Sequence, residues 1–311
     1  MKAVRLLEYG GLSALQLLDI GWPAIHEGQV FVEVHAASLN PFDTMIREGV
    51  LRETLPLKLP ITLGGDIAGI VVDVGPAVSG ISVGDKVYGQ ASVVAGNSGA
   101  FAEFASTAAS QVAKMPNNIG FNQAAALPLV GVSALQAMTK HFNLKRGQKI
   151  CIKGGAGGVG AIAVQLAKHI GAHVAATASG DDIDYVAKLG ADEVIDYKQY
   201  DFTEMLHNYD AFFDTVGGDD FSRAYAILRQ DGVAVSMVEN PDEAEYLEHG
   251  IVALRQSTVV TTHMLDQLAK LVNSGVITVR IGKELPLEQV QEAFRVREGG
   301  MVSGKVVLTI K

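Results

Sequence analysis

The sequence contains almost no cysteine and no excess of positive charge. Cys151 is the only cysteine among 311 residues, so neither an intrachain disulfide nor a zinc site built from several thiolates can form. Lys and Arg number 25 against 34 Asp and Glu, which gives a net charge of −9. An acidic chain without a basic run argues against nucleic acid or an anionic membrane as the main partner. The single cysteine suits a reducing compartment, and we expect a cytoplasmic protein.

Long apolar runs are missing as well. The most membrane-like stretch, residues 124–139, is sixteen residues long and contains Pro128, Gly131 and Gln136. About 20 apolar residues are needed to span a bilayer as a helix. Near the N-terminus, Glu8 interrupts the apolar core that a signal peptide requires. We therefore expect no membrane partner and interpret residues 124–139 as a buried helix or hinge.

The composition is that of a folded α/β protein. Apolar residues make up 48% of the chain and charged residues 19%, and the 311 residues suggest two domains. In the first third, short β-type runs alternate with turns that contain glycine or proline, which predicts a compact, barrel-like β domain. These runs cover residues 3–7, 15–20, 30–36, 67–74, 86–89 and 101–105.

After about residue 122, strands and helices alternate. This pattern is typical of βαβ units and of a parallel sheet with helices on both faces. We predict one long helix over residues 124–142, and a return to two helices and a last strand at residues 263–273, 287–297 and 304–310. Between them, strands are expected at 149–153, 173–177, 193–195, 211–214, 233–238 and 251–254, and helices at 159–170, 182–189, 221–229 and 242–249.

A glycine-rich loop follows the first strand of the alternating part. Gly155-Ala-Gly157-Gly-Val-Gly160 fits the pattern G-x-G-x-x-G, with a buried strand before it and a helix after it. The N–H groups of Gly158, Val159 and Gly160 open that helix, and the helix dipole favours an anion there. The small residues let the backbone approach a pyrophosphate closely. The loop therefore predicts a dinucleotide site.

The choice between NADPH and NADH depends on the end of the next strand. An NAD site usually has an acidic residue about 20 residues past the loop, where it accepts hydrogen bonds from the adenosine ribose. Here the strand ends with Thr177 and Ser179, and Ser179 suits a 2′-phosphate. Asp181 and Asp182 would repel a phosphate that they faced, but Asp182 also completes a capping box with Ser179. We expect NADPH, with NADH possible.

Short motifs follow one another along nearly the whole chain. The segments Ala37-Ser-Leu-Asn40-Pro-Phe-Asp43 and Leu63-Gly-Gly-Asp66-Ile-Ala-Gly69 come first, followed by Val83-Gly-Asp-Lys-Val87, Leu189-Gly-Ala-Asp192, Asp214-Thr-Val-Gly217-Gly218 and Gly304-Lys305-Val-Val-Leu. Each motif is weak alone, but the ordered set is specific. It resembles the medium-chain dehydrogenase/reductase superfamily, and within it the zinc-independent quinone oxidoreductases, which are zeta-crystallin-like.

This resemblance implies a GroES-like β-barrel catalytic domain made from both ends of the chain, residues 1–122 and 259–311. A Rossmann domain that binds NADP(H) is then inserted at residues 123–258. Zinc-dependent relatives have a cysteine near Leu39 and a histidine at the turn of Gly65, so those ligands are missing here and we expect no metal. Related enzymes pair along their last Rossmann strand, and the apolar edge strand at residues 251–254 leads us to expect a homodimer.

The resemblance also implies hydride transfer to an electron-poor carbon conjugated to a carbonyl. We expect Asn40 to be catalytic by holding the nicotinamide ribose or a substrate oxygen, although asparagine is also common in turns before proline. Asp43 would orient Asn40 or Arg47, or cap a helix. Asp66 is the third catalytic candidate, with turn chemistry as its alternative.

Candidate cofactor contacts lie mostly in the Rossmann part. Ser133 lies on the helix where the family has a threonine that faces the cofactor. Tyr197 ends the third strand, and Val216 and Gly217 follow the fourth, at the edge of the sheet where dinucleotides bind. Lys305 either reaches the phosphates or is solvated.

The leading hypothesis is an NADPH-dependent reductase of quinones or α,β-unsaturated carbonyls, such as enones and alkenals. One alternative is a zinc-free dehydrogenase of an alcohol or an acyl thioester. Another is a non-catalytic nucleotide-binding protein, such as a redox sensor, a crystallin-type protein or an RNA binder. The complete loop and Asn40 favour an enzyme, and the net charge of −9 weighs against RNA.

Overall fold

The computed structural model describes the whole chain, Met1–Lys311. The first of its two units comprises residues 1–129, 260–274 and 279–311, and the second comprises residues 130–259 and 275–278. The sequence placed the first boundary at residue 122. The difference arises because the short helix Phe121–Ala125 packs on four strands of the first unit. None of the helices is long and apolar enough to cross a membrane.

Sixteen strands and ten α-helices make up the two units. The strands are β1 Lys2–Leu6, β2 Leu15–Asp19, β3 Gln29–Ser38, β4 Ile61–Thr62, β5 Asp66–Val74, β6 Lys86–Gln90, β7 Phe104–Ala108, β8 Val112–Lys114, β9 Lys149–Lys153, β10 His173–Ala178, β11 Glu193–Asp196, β12 Tyr209–Asp214, β13 Leu228–Ser236, β14 Val252–Arg255, β15 Ile281–Pro286 and β16 Lys305–Thr309. The helices are α1 Pro41–Glu48, α2 Phe121–Ala125, α3 Pro128–Gln136, α4 Gly158–Ile170, α5 Asp182–Lys188, α6 Phe202–Met205, α7 Asp220–Arg223, α8 Glu243–Glu248, α9 Thr262–Asn273 and α10 Val290–Glu298.

The first unit contains two β-sheets around an apolar core. One sheet has the order β2-β1-β4, and the other has the order β15-β16-β3-β5-β6-β8, with β7 also paired to β3. Every pairing is antiparallel except that of β15 with β16. Strand β16, near the C-terminus, pairs with β3 from the N-terminal part, so both ends of the chain build this unit. The β domain predicted from the sequence is confirmed.

The second unit is a six-stranded parallel sheet in the order β11-β10-β9-β12-β13-β14. The chain moves outward from β9 to β11 on one side and from β12 to β14 on the other. The two central strands, β9 and β12, therefore lie at the point where the order reverses, which is where doubly wound sheets bind ligands. The predicted Rossmann arrangement is confirmed, and β9 has the predicted bounds.

Two predicted helices are wrong in extent. The helix expected over residues 124–142 is divided into α2, α3 and a π-helical segment, Ala137–His141. Pro128 begins α3, because a proline lacks the N–H that a continuous helix would need and disfavours helical backbone before it. The helix expected over residues 221–229 is α-helical only to Arg223 and continues as a 3-10 helix over Ala224–Ile227. It ends there because Leu228 already pairs with Tyr209 of β12. Tertiary pairing here overrides the local pattern.

Candidate active site

The sequence analysis predicted no helix over the residues of α1, although capping a helix was one of the roles expected of Asp43. Asn40 is the N-cap residue, Pro41 takes the first helical position, and the Asp43 carboxylate accepts the backbone N–H of Asn40 at 2.7 Å. A cap residue followed by proline and then an acid two positions later is typical of a helix start. Asp43 therefore caps α1, whereas Arg47 pairs with Glu298 at 2.9 Å.

The Asn40 side chain is held from both sides. Its Nδ2 donates to Asp66 Oδ2 at 2.9 Å, and its Oδ1 accepts from Lys305 Nζ at 2.5 Å. Asn40 is only 2% exposed. The amide nitrogen faces a carboxylate and the amide oxygen faces an ammonium. The orientation of the amide is thereby fixed. One N–H of Nδ2 remains for a further acceptor, since an amide nitrogen carries two.

Lys305 differs from the expectation that it reaches phosphates or is solvated. Its ammonium is buried in the first unit and donates to Leu39 O at 2.8 Å as well as to Asn40. Both partners are protein oxygens, so Lys305 positions Asn40 in this structure. No local pattern signals this contact, because the two residues are 265 positions apart in the sequence.

Three polar residues, Ser38, Asp66 and Gln90, form a row across one face of the larger sheet. Directly opposed residues on neighbouring antiparallel strands share a face. Ser38 opposes both Val307 and Asp66, and Asp66 opposes Gln90. Gln90 Nε2 donates to Asp66 Oδ1 at 3.1 Å, and the backbone N–H of Leu129 donates to Oδ2 at 3.3 Å. Ser38 Oγ is buried and has no hydrogen-bond partner.

Burial dominates the electrostatics of this cluster. Desolvation raises the pKa of Asp43 to about 7, and the nearby negative charge of Asp66 acts in the same direction. Together they outweigh the hydrogen bond from the Asn40 N–H, which lowers this pKa. Desolvation also raises the pKa of Asp66, against the stabilising charge of Lys305. It lowers the pKa of Lys305 to about 8, against the attraction of the two carboxylates. The cluster can therefore change its protonation state near neutral pH.

The glycine-rich loop in the second unit has the geometry of a phosphate cradle. Gly157 is the N-cap residue of α4, and the first bond within the helix is donated by Ala161 to Gly157 O at 2.9 Å. The preceding N–H groups, those of Gly158, Val159 and Gly160, have no partner within the helix. A Cβ on Gly160 would lie 2.1 Å from Gly154 O, so only glycine fits there.

Thr177 and Ser179 follow the loop at the end of β10. Thr177 is buried, and its Oγ1 accepts the N–H of Gly154 at 3.0 Å, so its side chain supports the loop. Ser179 is partly exposed. Helix α5 begins at Asp182 with Asp181 as the N-cap residue, rather than with the predicted Ser179 cap, and Asp181 makes no side-chain cap bond. The phosphate or ribose role of these residues stays a prediction.

The loop after β12 is organised by a buried carboxylate that the sequence analysis did not single out. Asp214 Oδ1 accepts the N–H groups of Val216 at 3.1 Å and Gly217 at 2.9 Å, and its Oδ2 accepts from Ser236 Oγ at 2.7 Å. Val216 is exposed, and Gly217 has φ +88°, a conformation that favours glycine. Both predicted residues therefore lie at the carboxyl end of a central strand.

Two further predicted contacts occupy different settings within the second unit. Tyr197 is largely exposed just after β11. Ser133 is fully buried on α3, and its hydroxyl lies 2.8 Å from Thr258 Oγ1. The chain contains no group of three or more His, Cys, Asp or Glu side chains that could hold a metal ion. A cofactor role for Tyr197 and Ser133 stays a prediction.

Two family models match the chain. Residues 26–117 match the alcohol dehydrogenase GroES-like domain, and residues 189–308 match a model described as zinc-binding dehydrogenase. The first match covers most of the N-terminal strands. The second covers part of the parallel sheet and the C-terminal return.

Similar proteins match over the whole length. A chloroplast envelope quinone oxidoreductase homolog from Arabidopsis thaliana is 33% identical, over 99% of this chain and 98% of the relative. An NADPH-dependent alkenal/one oxidoreductase from the same organism is 35% identical, over 99% of this chain and 79% of the relative. The Escherichia coli quinone oxidoreductase complexed with NADPH superimposes with a TM-score of 0.89 at 29% identity, covering 99% of this chain and 100% of that one.

The raised pKa of Asp43 predicts how stability depends on pH. The folded chain keeps the Asp43 proton up to about pH 7, whereas the unfolded chain releases it near pH 4, so this contribution is complete at low pH and is lost as the pH rises through 7. Asp43→Asn removes the titration. The free energy of unfolding of the wild type, relative to the variant, should fall by roughly 2–4 kcal/mol between pH 4 and 7. Urea unfolding at several pH values measures this.

Asp85→Asn is the control for that measurement. Asp85 accepts a hydrogen bond from the backbone of Ser82 and pairs with Lys114, which lowers its pKa. The contribution of Asp85 to the free energy of unfolding is therefore lost as the pH falls, whereas that of Asp43 is lost as the pH rises. A pH-independent difference between the wild type and Asp43→Asn would show that Asp43 has the same pKa in the folded and the unfolded chain.

Proposed function

This chain belongs to the medium-chain dehydrogenase/reductase superfamily, with quinone oxidoreductases and alkenal reductases as relatives, and we propose that it reduces quinones or α,β-unsaturated carbonyls with NADPH. The family expected from the motifs is confirmed. The observation that carries the cofactor assignment is the cradle at the start of α4, where Gly160 approaches Gly154 O too closely for any side chain. The acceptor class follows from the names of the relatives.

The residues of the second unit fit a dinucleotide. The N–H groups that open α4 would bind the pyrophosphate, because they point outward from the positive end of a thirteen-residue helix. Ser179 would donate to a 2′-phosphate, and Val216 and Gly217 would contact the cofactor at the carboxyl edge of the sheet. When bound, NADPH supplies the hydride.

Asn40 would act on the acceptor oxygen. Its remaining Nδ2 N–H can donate to a carbonyl oxygen that gains negative charge as hydride arrives. Asp66 and Lys305 hold the amide in one orientation, so no rearrangement is needed when the charge forms. Leu39 and Gly65 stand where zinc-dependent relatives have ligands, which supports a reaction without metal. A conjugated acceptor suits such a site because its charge is delocalised.

Replacement of Asn40 by alanine tests this assignment. Asn40→Ala should lower the turnover of the best enone or quinone about 10–100-fold, the scale of losing one donor to a developing oxyanion. NADPH affinity should change less. Initial rates of NADPH oxidation with a panel of quinones, enones, aldehydes and alcohols measure the first effect, and fluorescence titration measures the second.

Asn122→Ala is the matched control for this test. Its amide makes only a 3.4 Å contact with Thr309 Oγ1, so wild-type rates are expected. A chelator should leave the rate of the wild type unchanged. Full activity of Asn40→Ala would show that Asn40 takes no part in catalysis. Simple alcohols as the best substrates would point to the alternative dehydrogenase, and zinc-dependent turnover would exclude the metal-free reaction.

Cofactor preference depends on the end of β10. We expect NADPH to bind more tightly than NADH, because a 2′-phosphate gains charge-assisted hydrogen bonds worth about 1.5–3 kcal/mol each. Ser179→Ala should weaken NADPH binding by about tenfold and leave NADH binding unchanged. Dissociation constants for both cofactors measure this. Tighter binding of NADH would mean that Asp181 faces the ribose.

The edge of the parallel sheet supports a homodimer. Strand β14 pairs only with β13, and Val252 on it is 52% exposed. An exposed apolar edge strand invites a second copy of the same strand. Sedimentation at micromolar concentration should give a dimer mass for the wild type and a monomer mass for Val252→Lys. A monomeric wild type would contradict the proposal.

A further inference from the structure

Lys153 is a nearly buried lysine that the proposed mechanism does not use. It is the last residue of β9, directly before the glycine-rich loop, and its side chain is 11% exposed. Its ammonium donates to Gly217 O at 2.8 Å and lies 3.2 Å from Asp220 Oδ2. Burying an ammonium costs free energy even when it has partners, so a buried lysine at this position suggests a role.

The position of this ammonium is the reversal point of the sheet. Lys153 ends β9, Gly217 follows β12, and these strands are neighbours with Lys153 opposite Asp214. The crevice beyond the carboxyl ends of these two strands is the place where a doubly wound sheet binds its ligand. The N–H groups that open α4 begin five residues after Lys153.

The hydrogen bonds of Lys153 leave room for a ligand. An ammonium has three donors, and the chain occupies one with Gly217 O and a second with Asp220. The two partners differ in character. Gly217 is held in place by Asp214, whereas Asp220 lies on a short helix and its side chain is 41% exposed. Asp220 also pairs with Arg223 at 3.0 Å, so its carboxylate keeps a partner when Lys153 leaves it.

We propose that Lys153 is a further cofactor-binding residue, whose ammonium contacts the pyrophosphate of the bound dinucleotide and releases Asp220 when it does so. This inference rests on the proposed function. Gly217 O holds the ammonium at the sheet edge, and the exchange replaces one anionic oxygen by another without leaving the charge unpaired. Asp220 then weakens binding, because it competes with the pyrophosphate for the Lys153 ammonium.

Binding titrations with a small set of variants test the exchange. The wild type, Lys153→Met, Asp220→Asn and the double variant are titrated calorimetrically with NADPH, NADH and adenosine 2′-monophosphate, which lacks a pyrophosphate. Lys153→Met should raise the dissociation constants of NADPH and NADH by about tenfold or more and leave that of adenosine 2′-monophosphate unchanged. Lys149→Met, at the opposite end of β9, is the matched control and should match the wild type.

Asp220→Asn separates an exchangeable counter-ion from a structural brace. Exchange predicts that this variant binds NADPH about two- to fivefold more tightly, and that the gain disappears in the double variant because Lys153 is then absent. If Lys153→Met does not fold, Asp220→Asn alone decides the question. Weaker binding by Asp220→Asn would overturn the proposal, since it would make the ion pair a brace of the loop.

The remaining outcomes are also decisive. Unchanged NADPH binding by folded Lys153→Met, or an equal loss of adenosine 2′-monophosphate binding, would overturn the role of Lys153 and leave the proposed function intact. A wild type that binds neither NADPH nor NADH would remove the proposed function, and the role of Lys153 with it.

Discussion

The first unit depends on one buried arrangement of charge. The Lys305 ammonium and the Asp66 carboxylate meet through the two ends of a single amide, that of Asn40. Each charged group alone would be expensive to bury, and removing one partner leaves the other uncompensated. These hydrogen bonds therefore fix the positions of β16, β5 and the turn before α1 relative to one another. The Asn40 amide, which this arrangement orients, is also the group that we propose as the donor to the acceptor oxygen.

The second unit uses buried charge in a similar way. Asp214 fixes the backbone of Val216 and Gly217, and Lys153 ties Gly217 to the end of β9. Both residues end central strands, where an apolar side chain would satisfy packing but would organise no loop. Charges at these strand ends thus shape the sheet edge that the cofactor is proposed to occupy. In both units, polar residues within apolar strands mark the functional edges.

Local patterns in the sequence predicted much of this architecture. The alternation of strands and helices gave the parallel sheet, and the glycine spacing gave the loop between β9 and α4. The start of α1 was readable from Asn40, Pro41 and Asp43 but was outweighed by the surrounding β pattern. The contacts of Lys153 and Lys305 were not predictable, because each lysine meets partners distant in sequence. A lone lysine at a strand end carries no local sign of what it will touch.

The division of the first unit between both ends of the chain has a consequence for synthesis on the ribosome. Residues 130–259 emerge as one continuous segment and contain all six strands of the parallel sheet. The N-terminal 129 residues emerge earlier, yet β3 lacks its neighbour β16, and Asn40 lacks Lys305, until the last residues leave the exit tunnel. The unit that begins first along the chain is therefore the last to have all its strands. The inserted unit can be complete while the N-terminal strands still lack β16 and Lys305.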